Sequence, residues 1–237
     1  MRKKELVLFV SVFGVVVALS VFAFVQNKAR RIQSVVIDFE TDTPVFMSDT
    51  LVNKMLIQKK VLHKDQFKDS LDLGMLETLI EKTPVVANTE AFLYPDGRLG
   101  IRIEERIPVL QINRGRLTYF LDIGGQPFEL PAFIDETLPS ATGDFDKSEH
   151  EDLIALVKTM EQDPFLGKQH FHIRKDNKGY QLQFSEIQYP VQLGKLNKLT
   201  EKINKLKAFR AYQITHESSL VPQRVNLAFD GQVVVTN

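Results

Sequence analysis

The stretch that begins at Val85 reads VVANTEAFLYPDGRLGIRIEE (residues 85–105) and predicts a β-hairpin. Its apolar halves, Val85 to Leu93 and Leu99 to Ile103, are joined by Tyr94-Pro95-Asp96-Gly97. In this turn the proline presets its own φ, and the glycine accepts a positive one. Every second residue of the second half is apolar, so we expect one face of that strand to be buried and the other to be wet.

The residues before this hairpin predict one more strand and two helices. Val35, Val36, Ile37 and Phe39 form a β-branched and aromatic run that is typical of a strand. Ser48 is a suitable N-cap for a first helix, and the apolar spacing from Leu71 to Ile80 predicts a second. The order β-α-α-β-β predicts a small two-layer domain over residues 34–105.

After Glu105 the pattern changes to hairpins interrupted by helices, which predicts a second, mixed β domain over residues 106–237 and an α+β fold class overall. Ser148 and Glu151 form a predicted capping box at the start of one helix. A lysine-rich helix is predicted from Leu196 to Tyr212. The predicted strands are Val109 to Ile112, Leu117 to Asp122, Pro127-Phe128, Phe171 to Lys175, Tyr180 to Phe184, Val191 to Gly194, Arg224 to Phe229 and Val233 to Val235.

The N-terminal region predicts a membrane anchor. Leu6 to Val25 contains no charged residue, and a helix of that length spans a hydrocarbon core of about 30 Å. We therefore expect a tail at residues 1–5, a transmembrane helix at 6–25 and a linker at 26–33. The basic residues flanking the run are nearly balanced, and the shortness of the tail favours a cytoplasmic N-terminus with the bulk of the chain exported. A cleaved signal peptide ending near Ala18-Leu19-Ser20 is the alternative.

Composition excludes several classes of site. Lysine plus arginine and aspartate plus glutamate number 30 each, whereas a nucleic-acid-binding protein needs a basic surplus to neutralise phosphates. The chain has no cysteine, so it has neither a disulfide framework nor a thiolate metal site. We predict no cofactor and no small-molecule substrate.

Two clusters resemble catalytic or metal sites but are better explained as structural. His170 and His172 point to one face of a predicted strand, yet a zinc site needs a third ligand that the spacing does not supply. Glu104 and Glu105 are strand neighbours that point in opposite directions, so they do not form a carboxylate pair. We predict that Glu104, Glu105 and Arg106 form an interdomain salt bridge.

The predicted helix 196–212 carries many cations, which leaves two interpretations open. The cations are Lys195, Lys198, Lys202, Lys205, Lys207 and Arg210. They either form a solvated face of a helix that packs on the core, or they form a docking surface for anionic lipid or an acidic partner.

The terminal strands are the sharpest candidate for a binding site. At a sheet edge, their unpaired backbone groups can accept an extra strand from another protein. The alternative is that the chain covers this edge itself. The predicted partner-binding residues are Arg224, Val225, Leu227, Phe229, Val233, Val234 and Val235.

The order of these segments resembles the FtsQ/DivIB family of bacterial cell-division proteins, with the first domain similar to a POTRA domain. Besides the basic tail and the anchor, the resemblance depends on a series of short motifs. They are Ile103-Glu104-Glu105-Arg106-Ile107-Pro108-Val109, Tyr119-Phe120-Leu121-Asp122, Gly124-Gly125-Gln126-Pro127-Phe128, Leu138-Pro139 to Gly143, Val191-Gln192-Leu193-Gly194 and Arg224-Val225-Asn226-Leu227-Ala228-Phe229.

The resemblance implies a non-enzymatic scaffold at the division septum. It implies a single-pass protein of the inner membrane, with its bulk in the periplasm, that regulates septal peptidoglycan synthesis. It also implies that FtsB, held with FtsL as a coiled coil, adds a strand and docks side chains near Phe229. A membrane-tethered envelope enzyme, such as a peptidoglycan hydrolase, is the alternative function.

Overall fold

The computed structural model describes residues 3–28, 31–41, 45–59, 61, 63, 67, 70–130, 137–215 and 221–236. The chain divides into two compact units, residues 1–106 and residues 107–237. Its secondary structure is α+β, with five α-helices in the described ranges and a large mixed sheet in the second unit. The α+β part of the predicted fold is therefore confirmed.

The first unit has the element order α-β-α-α-β-β. Its elements are α1 (Lys3–Lys28), β1 (Ser34–Phe39), α2 (Asp49–Gln58), α3 (Leu73–Glu81), β2 (Val86–Leu93) and β3 (Arg98–Glu105). The three strands form a sheet in the order β1-β3-β2, with β1 parallel and β2 antiparallel to β3. The turn between β2 and β3 closes with the Tyr94 N–H donating to the Arg98 carbonyl at 2.9 Å, and Gly97 has a φ of 93°.

The first unit buries the alternating apolar face of β3 together with one side of each short helix. Leu99, Ile101 and Ile103 are fully buried, and so are apolar side chains of α2 and α3. Ser48 caps α2 through a bond from the Leu51 N–H at 3.3 Å, while Asp72 caps α3. Because a side-chain oxygen satisfies an otherwise unpaired N–H at each helix start, both helices begin sharply.

Helix α1 contains the predicted membrane-spanning segment. The structure describes its side chains over residues 9–23, and the large apolar ones there, such as Phe9, Phe13 and Phe22, are exposed. Among the described residues, no helix has the length and apolar character needed to cross a bilayer. The described residues thus give no support to the predicted transmembrane helix.

The second unit is built on a nine-stranded sheet. Its elements are β4 (Pro108–Arg114), β5 (Leu117–Asp122), β6 (Pro127–Phe128), β7 (Ser140–Thr142), α4 (Lys147–Glu161), a 3-10 turn (Leu166–Lys168), β8 (Phe171–Asp176), β9 (Gly179–Phe184), β10 (Val191–Gly194), α5 (Leu199–Thr215), β11 (Arg224–Asn226) and β12 (Val234–Thr236). The strand order is β12-β11-β10-β9-β8-β7-β4-β5-β6. Three neighbouring pairs are parallel, namely β10 with β11, β4 with β7 and β7 with β8.

One hydrophobic core joins α4 and α5 to the same face of this sheet. Leu153, Leu156 and Met160 of α4 and Ile203 and Leu206 of α5 belong to it. The sheet contributes every second residue of its central strands, which leaves the intervening side chains on the opposite face. The inward set includes Leu110, Ile112, Ala141, Ile173, Leu182, Val191 and Val225.

The start of α4 differs from the sequence prediction. The N-cap is Asp146, whose carboxylate accepts from the Ser148 and Glu149 N–H groups, and Glu149 completes the capping box by accepting from the Asp146 N–H. The predicted box of Ser148 and Glu151 is therefore wrong. The sequence contains two overlapping patterns of the same kind, and the first one initiates the helix.

Three C-terminal elements also have different bounds from those predicted, and β12 is one of them, at Val234–Thr236 where Val233 to Val235 was predicted. Helix α5 begins at Leu199, not at Leu196, because Lys198 has a φ of 51°, which lies outside the helical region. Strand β11 ends at Asn226, whereas the predicted strand continued to Phe229. Residues 227–230 instead form a loop that leads to β12.

Candidate functional site

Strand β12 lies at one end of the nine-stranded sheet. It pairs antiparallel with β11 through Val234, Val235 and Thr236, and within the described residues no strand pairs with its other edge. Val234 and Val235 are 37% and 39% exposed. An edge of this kind presents unpaired N–H and C=O groups beside apolar side chains, which is the combination that strand addition uses.

Strand β11 has partners on both sides and cannot accept a further strand. It pairs parallel with β10 and antiparallel with β12. Val225 and Leu227 are fully buried, and the Leu227 N–H donates to the Gln192 carbonyl at 2.8 Å. The predicted acceptor segment that started at Arg224 must therefore be corrected, because of the two C-terminal strands only β12 lies at an end of the described sheet.

The structure places the seven predicted binding residues in different surroundings. Val225 and Leu227 belong to the core, whereas Arg224 is exposed on the paired strand β11. Phe229 is 49% exposed in the loop before β12, and Val233 packs partly against the core. Phe229 and the β12 residues Val234 and Val235 are therefore the members of the predicted set that can contact a partner near the edge.

The loop at residues 227–230 is held by lysines of α5 and of the segment before it. The Lys205 ammonium donates to the carbonyls of Leu227 at 3.2 Å and Phe229 at 2.7 Å. Lys198 pairs with Asp230 at 2.9 Å on the surface. The last of these contacts is at Asp230, four residues before β12 begins. The contacts therefore help to set the direction in which the chain runs from the loop into the edge strand.

Gly194, the last residue of β10, allows the loop to approach the sheet closely. It has a φ of 70°, and a Cβ atom there would lie 2.9 Å from the Cβ of Ala228. The Ala228 N–H also donates to the Asn226 side chain at 2.9 Å. A glycine is therefore required both by the backbone conformation and by the short distance.

The predicted cationic face of α5 is largely satisfied within the chain. Lys202 is 4% exposed and donates to the Lys195 carbonyl at 2.6 Å and to Asn197 at 3.0 Å. Lys207 forms an ion pair with Asp163 at 2.7 Å. Lys202 and Lys205 therefore depart from the predicted solvated face, whereas Lys195, Lys198 and Lys207 are exposed as that interpretation expects. The docking surface for anionic lipid or an acidic partner stays a prediction.

We predict that Lys205→Met loosens the loop before β12. Methionine keeps the buried stem but loses the charge-assisted bonds to two carbonyls, which we expect to cost about 1–3 kcal/mol of unfolding free energy. Amide hydrogen exchange at residues 227–236 should accelerate more than exchange in β8 and β9. Lys198→Met is the matched control, because its ion pair is in solvent and should contribute less. Equal exchange in the two variants would contradict the role of Lys205.

Glu105 has a structural role inside the first unit. Its carboxylate accepts from the N–H groups of Val45 at 2.8 Å, Phe46 at 3.1 Å and Met47 at 2.6 Å. Glu105 is 7% exposed, while Glu104 is exposed to solvent. The bonds of Glu105 tie the end of β3 to the segment before α2. The interdomain salt bridge of Glu104, Glu105 and Arg106 stays a prediction.

His170 and His172, the two histidines considered as metal ligands, have different environments. His172 lies on β8, where its Nδ1 is 2.8 Å from the Ser140 hydroxyl, and His170 is exposed just before the strand. Nowhere in the described parts of the chain do three histidine, aspartate or glutamate side chains come close enough to hold a metal ion. His172 instead belongs to the polar face of the sheet.

Burial perturbs the ionisable groups around α4. The buried His150 lies 3.3 Å from the Tyr119 hydroxyl, and desolvation lowers its pKa. Tyr180 donates a short hydrogen bond to Glu149, and burial with that bond raises the pKa of Tyr180. Burial opposes ionisation of Glu149, but bonds from Lys175 and Tyr180 outweigh it and lower the Glu149 pKa.

These shifts predict two stages of acid destabilisation. A histidine whose pKa is lowered by folding binds a proton more tightly when unfolded, so His150 and His172 should reduce the unfolding free energy as the pH falls below about 6.5. Glu149 and Asp163, whose pKa values are also lowered, should cause a further loss below about pH 4.5.

Urea denaturation between pH 8 and pH 3 measures both stages. We expect the unfolding free energy of the His150→Gln variant, taken relative to its value at pH 8, to decline less between pH 7 and pH 5 than that of the unmodified chain. The exposed control His170→Gln should show the same decline as the unmodified chain. A flat profile through this range in the unmodified chain would contradict the burial argument for His150.

A family comparison matches the whole second unit. The model described as FtsQ/DivIB, C-terminal related, matches residues 107–236, which include all nine strands of the large sheet, α4 and α5. No curated protein matches the chain. FtsQ/DivIB proteins are generally non-enzymatic division proteins, so the match supports a cell-division role. The chain belongs to the FtsQ/DivIB family, through a C-terminal related domain that carries the β12 edge.

Proposed function

We propose that this chain is a non-enzymatic scaffold of the cell-division machinery that captures a partner by strand addition at β12. The observation that carries this proposal is the position of β12 at the end of the sheet, with its apolar residues Val234 and Val235 partly exposed. Membership of the FtsQ/DivIB family supports the cellular context.

The proposed partner presents an extended segment with apolar side chains. Backbone bonds to β12 supply affinity, and side chains that contact Val234, Val235 and Phe229 supply specificity. Proteins like FtsB, held with FtsL, fit this description by analogy with the family. The loop bonds of Lys205 support the same proposal, because a fixed edge loses less conformational entropy when the partner binds.

Membrane attachment is a further part of the proposal. The charge-free run Leu6 to Val25 lies within α1, and the apolar side chains described there are exposed. We propose that α1 holds the protein at the inner membrane with residues 34–237 in the periplasm. Single cysteines placed at Lys3 and Lys54 can be labelled from outside spheroplasts, since the chain has no cysteine of its own. Labelling of Lys54→Cys alone would support this topology, and labelling of both sites would contradict it.

Depletion of the protein in its own host tests the functional proposal. Cells should grow as filaments with unfinished septa, and the unmodified chain should restore division. A chain with Val234→Asp and Val235→Asp should reach the same cellular level but fail to restore division, because the charges block an added apolar strand. Normal division in depleted cells, or full restoration by the double variant, would reject the proposed role.

A further inference from the structure

The face of the large sheet that lies opposite α4 and α5 carries a regular grid of polar side chains. Cross-strand register places Ser140 of β7, His172 of β8 and Gln183 of β9 in one row. The next row contains Thr142, Arg174 and Gln181 on the same three strands. Directly paired residues project from the same face, so these six side chains form one surface, which we name the polar grid.

The polar grid is concave and partly fixed by internal bonds. His172, Arg174, Gln181 and Gln183 line a depression of about 240 Å³ together with Pro190. Ser140 holds the His172 ring at 2.8 Å, and the Gln183 amide donates to the Ile187 carbonyl at 3.2 Å. A surface whose side chains are already oriented loses less entropy on binding than a set of free side chains.

The chemistry of the polar grid favours a ligand rich in hydroxyl groups. Glutamine and hydroxyl side chains can donate and accept hydrogen bonds at once, as sugar hydroxyls do. Burial lowers the pKa of His172, which keeps the ring neutral near pH 7. Because Ser140 bonds Nδ1, the ring has Nε2 left to bond a sugar hydroxyl. Arg174 is exposed and is the single charged member of the six, and its planar guanidinium matches a carboxylate in geometry and charge.

The size of the polar grid fits a short length of glycan. Adjacent strands lie about 4.8 Å apart, so the side chains on the two outer strands, β7 and β9, are separated by roughly 10 Å. We propose that the polar grid binds an acidic glycan. The sugar hydroxyls form hydrogen bonds with Ser140, His172, Gln181 and Gln183, and a sugar carboxylate pairs with Arg174. This binding site lies on β7, β8 and β9 and is independent of partner capture at β12.

Calorimetric titration of the full-length chain with a galacturonic acid tetramer tests the proposal. The fully methyl-esterified tetramer is the matched ligand, because it keeps the sugar hydroxyls but loses the carboxylates. We expect the acid to bind at least tenfold more tightly than the ester. Arg174→Gln should remove this tenfold difference, and Gln181→Ala should weaken both ligands. Arg116→Gln, in the exposed β4–β5 turn, should change neither affinity.

Three outcomes of the titrations would overturn the proposal, and a competition experiment adds a fourth. They are no measurable binding of the acid tetramer, equal binding of acid and ester, and an unchanged acid affinity in the Arg174→Gln variant. Tetraglutamate is the competitor that distinguishes an acidic peptide from a glycan. If it displaces the tetramer at equal or lower concentration, the polar grid is a peptide site and the glycan assignment is wrong. Circular dichroism of each variant checks that the sheet is retained.

Discussion

A proline at Val234 or at Val235 is expected to weaken partner capture by about 3 kcal/mol, roughly 100-fold. Backbone N–H groups point alternately to the two sides of a strand, so one of these two residues directs its N–H away from β11. Proline at that position removes a donor from the free edge and places a ring in the path of the added strand. Proline at the other position disrupts the ladder to β11, so capture should fall in both variants.

Val234→Thr and Val235→Thr are the matched controls. Threonine keeps the β-branched shape and the N–H group, so we expect affinity within a few-fold of the unmodified chain. Affinity is measured by titrating the full-length protein with the extended segment of an FtsB-like partner. If either proline variant keeps full affinity while its fold is intact, the partner does not bind along the backbone of β12.

Glu105→Ala is expected to destabilise the first unit by about 3 kcal/mol or more. The substitution leaves the N–H groups of Val45, Phe46 and Met47 without the carboxylate that accepts from all three. A hydrogen bond to a charged acceptor contributes about 1.5–3 kcal/mol to the unfolding free energy. Removing the acceptor also leaves a buried N–H group without a partner, which adds the cost of its desolvation. The segment before α2 should detach from the end of β3, and the sheet should open more often.

Hydrogen exchange at β3 and at Val45 to Met47 measures this effect within the full-length chain. Exchange should accelerate by roughly 100-fold, which corresponds to about 3 kcal/mol. Glu104→Ala is the control, because this neighbour is exposed and removing it should change exchange little. Comparable protection in the two variants would show that the bonds of Glu105 do not stabilise this unit.

Local sequence patterns predicted those helices and strands whose formation depends on residues close together in the chain. The hairpin of residues 85–105 corresponds to β2 and β3, and the predicted strand Val191 to Gly194 has the bounds of β10. Alternation of apolar residues identified the buried face of β3, because side chains on a strand point to opposite sides. The cap of α4 was predicted two residues late, since two overlapping patterns compete and the sequence does not rank them.

Long-range pairing could not be predicted from the sequence. Strands β10 and β11 are separated along the chain by α5, yet they pair in parallel and bury Val225 and Leu227. The alternating residues of 224–229 are equally typical of an edge strand and of a paired one. The bonds of Lys205 to the loop carbonyls were missed for the same reason, because a lysine on a helix carries no sign of which distant carbonyl it contacts.

Cysteine cross-linking along β12 tests the central claim most directly. Single cysteines are placed in turn at residues 233–236 of this cysteine-free chain, opposite single cysteines along the bound segment of the partner. Directly opposed residues of paired strands have Cβ atoms about 5 Å apart, so each cysteine of β12 should cross-link to one facing position of the partner, and that position should shift by one residue for each step along β12. Cross-linking without a single register, or from α5 and not from β12, would show that the partner does not extend this sheet.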